Sequence, residues 1–393
     1  MSSRIAQSGG WARPLLSILA GLLLAAVLMR LSGYDVRAAY SALWSGATGM
    51  ETGRTHQANQ LALGNLNLHV NLYQLAQSLS RVTPLLLAGL AIALGLRAGL
   101  FNIGAQGQMT VGALAAAVVG EWGAGAGKAG EAGHWPPFAH IPLVLLAGAI
   151  AGGVWGALPG LLKAYRGVHE VISTIMLNYL GLNVVTYLVT HNLKDPKSSA
   201  TQTALIARSA WLSPWVAGSN LTAGFVIALV LAVLVTFLVR RSALGYQIRA
   251  VGLGAEAARA AGIPVARVLV TTMFLSGALA GIAGAIEVMG IHHRYVAGVA
   301  GNYGFDGIAV ALLGGLGGMA VTLSAFFFGF LAGGADYMET LTNVPNSIAV
   351  IVQAFVILFV GIRVLRRPRS GASSLSSAIT PSVEGQAAEH APL

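Results

Sequence analysis

Hydrophobic positions along the chain fall into long unbroken runs, and polar positions into short stretches between them. The runs lie near 14–31, 82–98, 101–120, 139–163, 168–190, 219–239, 268–291, 304–317, 318–335 and 346–365. A run of ~20 residues matches the hydrocarbon thickness of a bilayer, and several of these are shorter. Hydrocarbon cannot hydrogen-bond the backbone, so such runs must be helices, and none alternates as the strands of a barrel do. The expected fold is an all-α polytopic membrane protein with about ten transmembrane helices. Glycine breaks the pairs 82–98/101–120 and 304–317/318–335. Each pair reads as two short spans or as a broken helix with a re-entrant segment. Runs two to five and seven to ten form equal blocks entering from opposite sides, each with its broken pair. That is the pattern of an inverted repeat with a pathway at its interface.

Composition agrees: only 9% of the residues are charged, against roughly 25% in soluble domains. The formal charge of +10 raises nucleic acid as a partner. The basic residues form no patch with interleaved aromatics, however, and no nucleic-acid partner is expected. They set topology instead. With the N-terminus inside, the short inner segments hold Arg4, Arg13, Arg97, Lys163, Arg166, Arg240, Arg241, Arg249, Arg259, Arg267 and a tail group from Arg363 to Arg369. These make up 14 of the 23 Lys and Arg, and the rest spread over longer outer loops. Both termini are therefore expected in the cytoplasm. The first run, with Arg4 and Arg13 ahead of it, could be a signal peptide, but no small-x-small cleavage site follows, so it reads as a retained span. The expected organisation is a cytoplasmic N-terminus (1–13), a first helix and outer loop (14–81), a membrane core (82–367) with an inner loop at 240–267, and a disordered cytoplasmic tail (368–393). The outer stretch 32–80 reads as a loop of weak helical character. Cysteine is absent, which excludes disulfides, thiol catalysis and Cys-ligated zinc.

Chemistry is sparse. GAGAGKAG (123–130) lacks the spacing and the Ser or Thr of a phosphate loop, so the chain is not expected to hydrolyse ATP. His292 and His293 are adjacent, hence on different faces of a helix, and no ligand lies at metal spacing; neither metal nor cofactor is expected. No nucleophile elbow or carboxylate pair points to catalysis. Glu287 falls near the outer end of the seventh run, as an intramembrane or an interfacial carboxylate. Asp306 precedes a short run and reads as a helix N-cap or a pathway residue. Glu170 opens EVISTIMLNYL, where the helix dipole favours a carboxylate.

The uncharged polar set is richer. GLFNIGAQGQ places Asn102, Gln106 and Gln108 among glycines at a junction between two runs. Asn102 and Gln106 share one helix face, as do Thr174 and Asn178. These side chains either line a path for a polar, uncharged solute or bond neighbouring helices together. In the inner loop, GAEAARAAG sets helix formers between glycines, with Glu256 and Arg259 at i, i+3 and Pro264 just after. It reads as a short surface helix that docks a soluble partner, or as a basic loop that only fixes topology.

GLFNIGAQGQMTVGA, EVISTIMLNYL, GYQIRAVGLGAEAARAAGI and GFDGIAVALLGG, in this order and spacing, resemble the permease subunits of bacterial ABC importers of the branched-chain amino acid and simple-sugar superfamily. The first two motifs are most similar to nucleoside-type permeases that work with a basic-membrane-protein lipoprotein. The resemblance covers about residues 80 to 365. It implies a vitamin-B12-importer-like architecture in the bacterial inner membrane and import of nucleosides, with simple sugars or amino acids as the alternative. It implies as partners an ATP-binding subunit, a second homologous permease (a heterodimer), an extracytoplasmic lipoprotein receptor and membrane lipid. The pathway candidates are Asn102, Gln106, Gln108, Asn178 and Asp306. Arg249, Gly252, Glu256, Ala257, Ala258 and Gly262 fall in the family's coupling segment, which inserts into a groove of the ATPase. Two departures bear on substrate detail: Gly254-Ala255 stands where Asn-Pro is commoner, and GLGGM (315–319) replaces a stretch with a basic residue and an Asn-Pro-like turn. A self-powered secondary transporter is the rival reading, and it would need carboxylates near the bilayer centre that the runs almost lack.

Overall fold

The computed structural model describes residues 12–51, 60–62, 69–122, 135–315, 317–348, 350–355 and 358. The chain is mostly helical. Its α-helices are α1 (Ala12–Leu31), α2 (Val36–Thr48), α3 (Leu72–Arg97), α4 (Ala105–Glu121), α5 (Pro137–Arg166), α6 (Glu170–His191), α7 (Gly224–Arg241), α8 (Ala243–Leu253), α9 (Ala255–Ala260), α10 (Val265–Glu287), α11 (Tyr303–Leu313) and α12 (Gly318–Thr342). A π-helical turn, Val288–His292, continues α10. Three short strands, β1 (Met50–Glu51), β2 (Gln60–Ala62) and β3 (His69–Asn71), form an antiparallel sheet in the order β1-β3-β2.

Among the described residues, six helices are long and apolar enough to cross a membrane: α3, α5, α6, α7, α10 with its π turn, and α12. Two shorter apolar helices, Ile18–Leu31 and α11, accompany them. Half of the run 346–365, the glycine-rich stretch 123–130 and the tail 368–393 lie outside the described residues. Burial separates the spans by role. The apolar window of α3 is 83% buried inside the molecule, against 22% to 28% for α5, α6 and α7. α3 is thus the central post, while α5, α6 and α7 turn most of their side chains outward.

Two boundaries differ most from the apolar pattern. α3 begins at Leu72 rather than near 82, and α12 runs to Thr342 rather than ending near 335. Gln74, Gln77, Ser78, Ser80 and Arg81 dilute the hydropathy of the first turns of α3, yet two of them are met by neighbouring helices: Ser78 Oγ donates to the Gly46 carbonyl of α2 at 2.9 Å, and Arg81 pairs with Asp336 of α12. The described parts of 32–80 are likewise more regular than a loop. Asp35 caps α2 by accepting from the Arg37 and Ala38 N–H groups, and Asn71 caps α3 through Tyr73 and Gln74.

Small residues bring α4, α5 and α10 together. A Cβ at Gly281 would lie 2.1 Å from the Gly148 carbonyl oxygen, and one at Gly277 would lie 2.2 Å from that of Gly152. Only glycine permits this approach, the usual means by which membrane helices gain close packing. Over one end of α4 and α10 lies the loop 193–222. Its Ala207 N–H bonds the Gly120 carbonyl at 2.9 Å, and its Leu212 N–H bonds that of Met289 at 3.0 Å.

Candidate functional site

The junction between α3 and α4 is built by a reversal at Gly99. Its φ of +74° lies in the left-handed region, which glycine adopts without penalty. The Leu100 N–H then bonds the Gly95 carbonyl at 3.0 Å, and the chain runs back along α3. Asn102 closes this return leg. Its Nδ2 donates to Gln108 Oε1 and to Ser276 Oγ, both at 2.8 Å. Its Oδ1 accepts from the Gly104 N–H at 2.9 Å and from Gln108 Nε2 at 3.1 Å. An amide has two donors and two acceptor lone pairs, so Asn102 is fully used. Ser276 passes the connection on, donating to the Ala91 carbonyl in α3 at 2.6 Å. Asn178 braces the same turn from α6, accepting from the Gly107 N–H and donating to the Ile103 carbonyl, each at 2.8 Å. Asn102, Gln108, Asn178 and Thr174 are all buried. Asn102, Gln108 and Asn178 form a closed amide knot, and Thr174 beside it donates to carbonyls of its own helix.

Gln106 faces another way. It is half-buried and reaches the start of α11, where its Oε1 accepts from the Gly304 N–H at 2.9 Å and its Nε2 donates to the Gly301 carbonyl at 2.6 Å. Two helix N-termini therefore meet, and a Cβ at Gly304 would lie 2.4 Å from the Gln106 nitrogen. One turn further on, Gly307 packs on Ala88, nine residues before Arg97 and roughly 14 Å from it along α3. With Arg97 taken as the edge of the span, this contact would lie close to the midplane of a ~30 Å hydrocarbon layer.

Beside this meeting point stands a charged cluster that the apolar pattern conceals. Arg81 of α3 pairs with Asp336 of α12, and their side chains remain 37% and 41% exposed. Arg81 also interacts electrostatically with Glu287 of α10 and Tyr303 of α11, and Tyr303 with Asp306 and Asp336. Glu287 is buried at the end of its helix, while Asp306 and Tyr303 are partly open. Asp306 is not an N-cap: α11 starts at Tyr303, and the Asp306 N–H already bonds the Asn302 carbonyl. The cluster offers guanidinium and phenol donors with carboxylate acceptors, which suits a polar solute rich in hydroxyls.

The segment 240–267 folds as α8 and α9 joined at Gly254. Leu253, Glu256, Ala257, Arg259 and Gly262 are exposed, whereas Ala258 turns inward at 4% exposure. The Arg249 guanidinium donates to the Val239 carbonyl, tying α8 to α7. Gly252 lies against the end of α3: a Cβ there would sit 2.0 Å from the Arg97 carbonyl oxygen, and its Cα is 3.7 Å from the Cβ position of Gly99. The exposed segment thus touches the turn that leads into the amide knot.

A family model for the permease component of branched-chain amino acid transport systems matches residues 74–361. The chain belongs to this permease family. The guanosine ABC transporter permease protein NupP of Bacillus subtilis is 39% identical over 350 residues, covering 88% of this chain and 92% of that protein. The nucleoside ABC transporter permease protein NupB of Lactococcus lactis is 32% identical, covering 89% and 90%. The glucose ABC transporter permease protein TsgB13 of Haloferax volcanii is 36% identical, covering 73% and 76%.

Other polar residues of the permease have structural partners. Glu170, at the start of α6, pairs with Lys163 Nζ at 2.9 Å. His293 stacks on Trp211 with ring centroids 3.9 Å apart. Burial holds the His293 imidazole below its usual pKa, against the bond to Met289 that favours its charged form. No group of three or more metal-ligating side chains occurs among the described residues. Arg81 and Asp336 are the functional candidates that the apolar pattern missed. The signal was present as one charge at the edge of each of two apolar runs.

Proposed function

We propose that this permease is the transmembrane subunit of an ATP-driven importer of nucleosides. The carrying observation is the charged cluster of Arg81, Asp336, Glu287, Tyr303 and Asp306 beside two helix N-termini that meet at mid-membrane. Broken helices that start inside the bilayer mark solute sites in transporters. Ribose hydroxyls and base edges match the donors and acceptors on offer. Whole-length likeness to guanosine and nucleoside permeases supports that solute, and likeness to a glucose permease keeps hexoses as the second reading.

In this reading the cluster lines the path with Gln106 at its edge. Asn102, Gln108 and Asn178 hold the helices that frame it. The chain has about ten spans in two inverted blocks, with both termini and the α8–α9 segment in the cytoplasm. Arg249, Gly252, Glu256, Ala257, Ala258 and Gly262 then form the surface that meets a separate ATP-binding subunit. A second permease completes the path, and a lipoprotein receptor delivers the solute. ATP-driven movement of α8 and α9 reaches the path through Gly252 and the turn at Gly99. Hydrolysis belongs to the partner, and this chain supplies the path and the lever.

The test is uptake in cells that lack their own nucleoside importers, with the permease, ATPase, second permease and receptor expressed together. Labelled guanosine should enter in an ATP-dependent way and be outcompeted by other nucleosides but not by glucose. Glucose uptake without guanosine uptake would transfer the proposal to the second reading.

A further inference from the structure

At the basic end of α7 a cleft of about 570 Å³ opens between α7 and α12. That is the size of a small-molecule site rather than a surface crease. Its walls are apolar, from Leu229, Val233, Phe237 and Met319, and its mouth carries Arg240 and Arg241. The two hydroxyls in the lining, Thr236 and Thr322, donate back to carbonyls of their own helices at 2.7 and 3.0 Å, so the walls make no unmet polar demand. Both arginines are exposed, and neither has an ion-pair partner among the described residues.

Depth fits one kind of occupant. From Leu229 to Arg240 the helix rises roughly 16 Å, close to one leaflet of a ~30 Å hydrocarbon layer. An acyl chain would lie along Val233 and Phe237 while its headgroup meets the guanidinium pair. Basic pockets between membrane helices hold anionic headgroups by the same division of labour.

We propose that this cleft is a binding site for one anionic phospholipid of the inner leaflet. The leaflet assignment rests on the orientation given under the proposed function; the lipid chemistry does not. A bound lipid would wedge α7 against α12 at the root of α8, where the proposed coupling segment begins.

The test is native mass spectrometry of the purified full chain equilibrated with phosphatidylglycerol or phosphatidylcholine. One phosphatidylglycerol should be retained preferentially, by on the order of 10- to 30-fold, as two arginines imply. Arg240→Gln with Arg241→Gln should remove that preference, and Val233→Trp should reduce retention by filling the cleft without touching charge. Equal retention of both lipids overturns the site. So does a Val233→Trp variant that binds normally, because the arginines would then act only as surface charge. Loss of co-purifying second permease in these variants, with lipid retention unchanged, would assign the cleft to that subunit instead. The leaflet is read separately. The chain has no cysteine, so Leu253→Cys reports its own side with an impermeant maleimide on intact cells. Labelling from outside would overturn the inner-leaflet assignment and the orientation together, leaving lipid selectivity to stand on the mass spectra.

Discussion

Two polar regions flank the meeting of α4 and α11, and they handle polarity in opposite ways. The amide knot around Asn102 is buried, neutral and saturated, with every donor and acceptor of that side chain meeting protein. The cluster around Arg81 is charged, partly open and spread over four helices. A saturated network stiffens a fold, because a solute could join it only by displacing a bond already made. An open charged cluster holds capacity in reserve, and charge inside a membrane is kept where it has a use. In the proposed function, the closed network would frame the path and the open cluster would meet the solute.

The largest effect should come from the open side. Arg81→Ala removes the partner of Asp336 and leaves Glu287 without its nearby positive charge. Uptake should fall more than about tenfold, with the protein still inserted at normal levels. Exchanging the charges, Arg81→Asp with Asp336→Arg, should recover part of it. Near-normal uptake by Arg81→Ala would erase the contrast. Next comes the lever between the regions. Gly252→Val places side-chain atoms where the Arg97 carbonyl already stands, so α8 must shift off the end of α3. ATP hydrolysis by the assembled complex should persist while solute moved per ATP drops several-fold; an unchanged ratio would sever the proposed link. Ala258 is a poorer probe than Ala257, since it packs inward and its replacement would disturb α9 itself.

The two regions were unequally legible. Asn102, Gln106 and Gln108 stand out because amides and glycines interrupt an apolar background, and local spacing marks them as special. Arg81 and Asp336 do not, because each sits one residue beyond an apolar run that ends near 82 or 335, and a hydropathy boundary discards it. What restores them to the membrane is tertiary: Ser78 is satisfied by α2, and Gly329 packs on Val82 of α3. The helix over GAEAARAAG is readable from its formers and flanking glycines, and α9 occupies that stretch. Contact between Gln106 and Gly304 joins positions far apart in the chain. No local pattern encodes it.

Asn102→Ala probes the closed side. It strands the Gln108 amide and the Gly104 N–H in a buried place, a cost of about 1–3 kcal/mol, while the Ser276 hydroxyl keeps its bond to the Ala91 carbonyl. The thermal midpoint of the purified permease should fall while the KM of uptake stays put. Replacing Asn102 and Gln108 together by leucine should cost less than the two single changes summed, since their mutual bonds are lost only once. A raised KM in Asn102→Ala would place the knot on the solute side.

The smallest effect belongs to Gln106, which stands on the border between the two regions. Both of its bonds run to the backbone at the start of α11, so it positions that helix rather than waiting for a ligand. It is only half-buried, and water can replace part of what alanine removes. Interhelical hydrogen bonds of this kind average about 0.6 kcal/mol, so Gln106→Ala should lower the maximal uptake rate roughly threefold with KM unchanged. Gln106→Glu keeps the acceptor for the Gly304 N–H and loses the donor to Gly301, and should fall between the two. A KM that rises in both variants, with the maximal rate intact, would make Gln106 a solute contact and move the border by one helix turn.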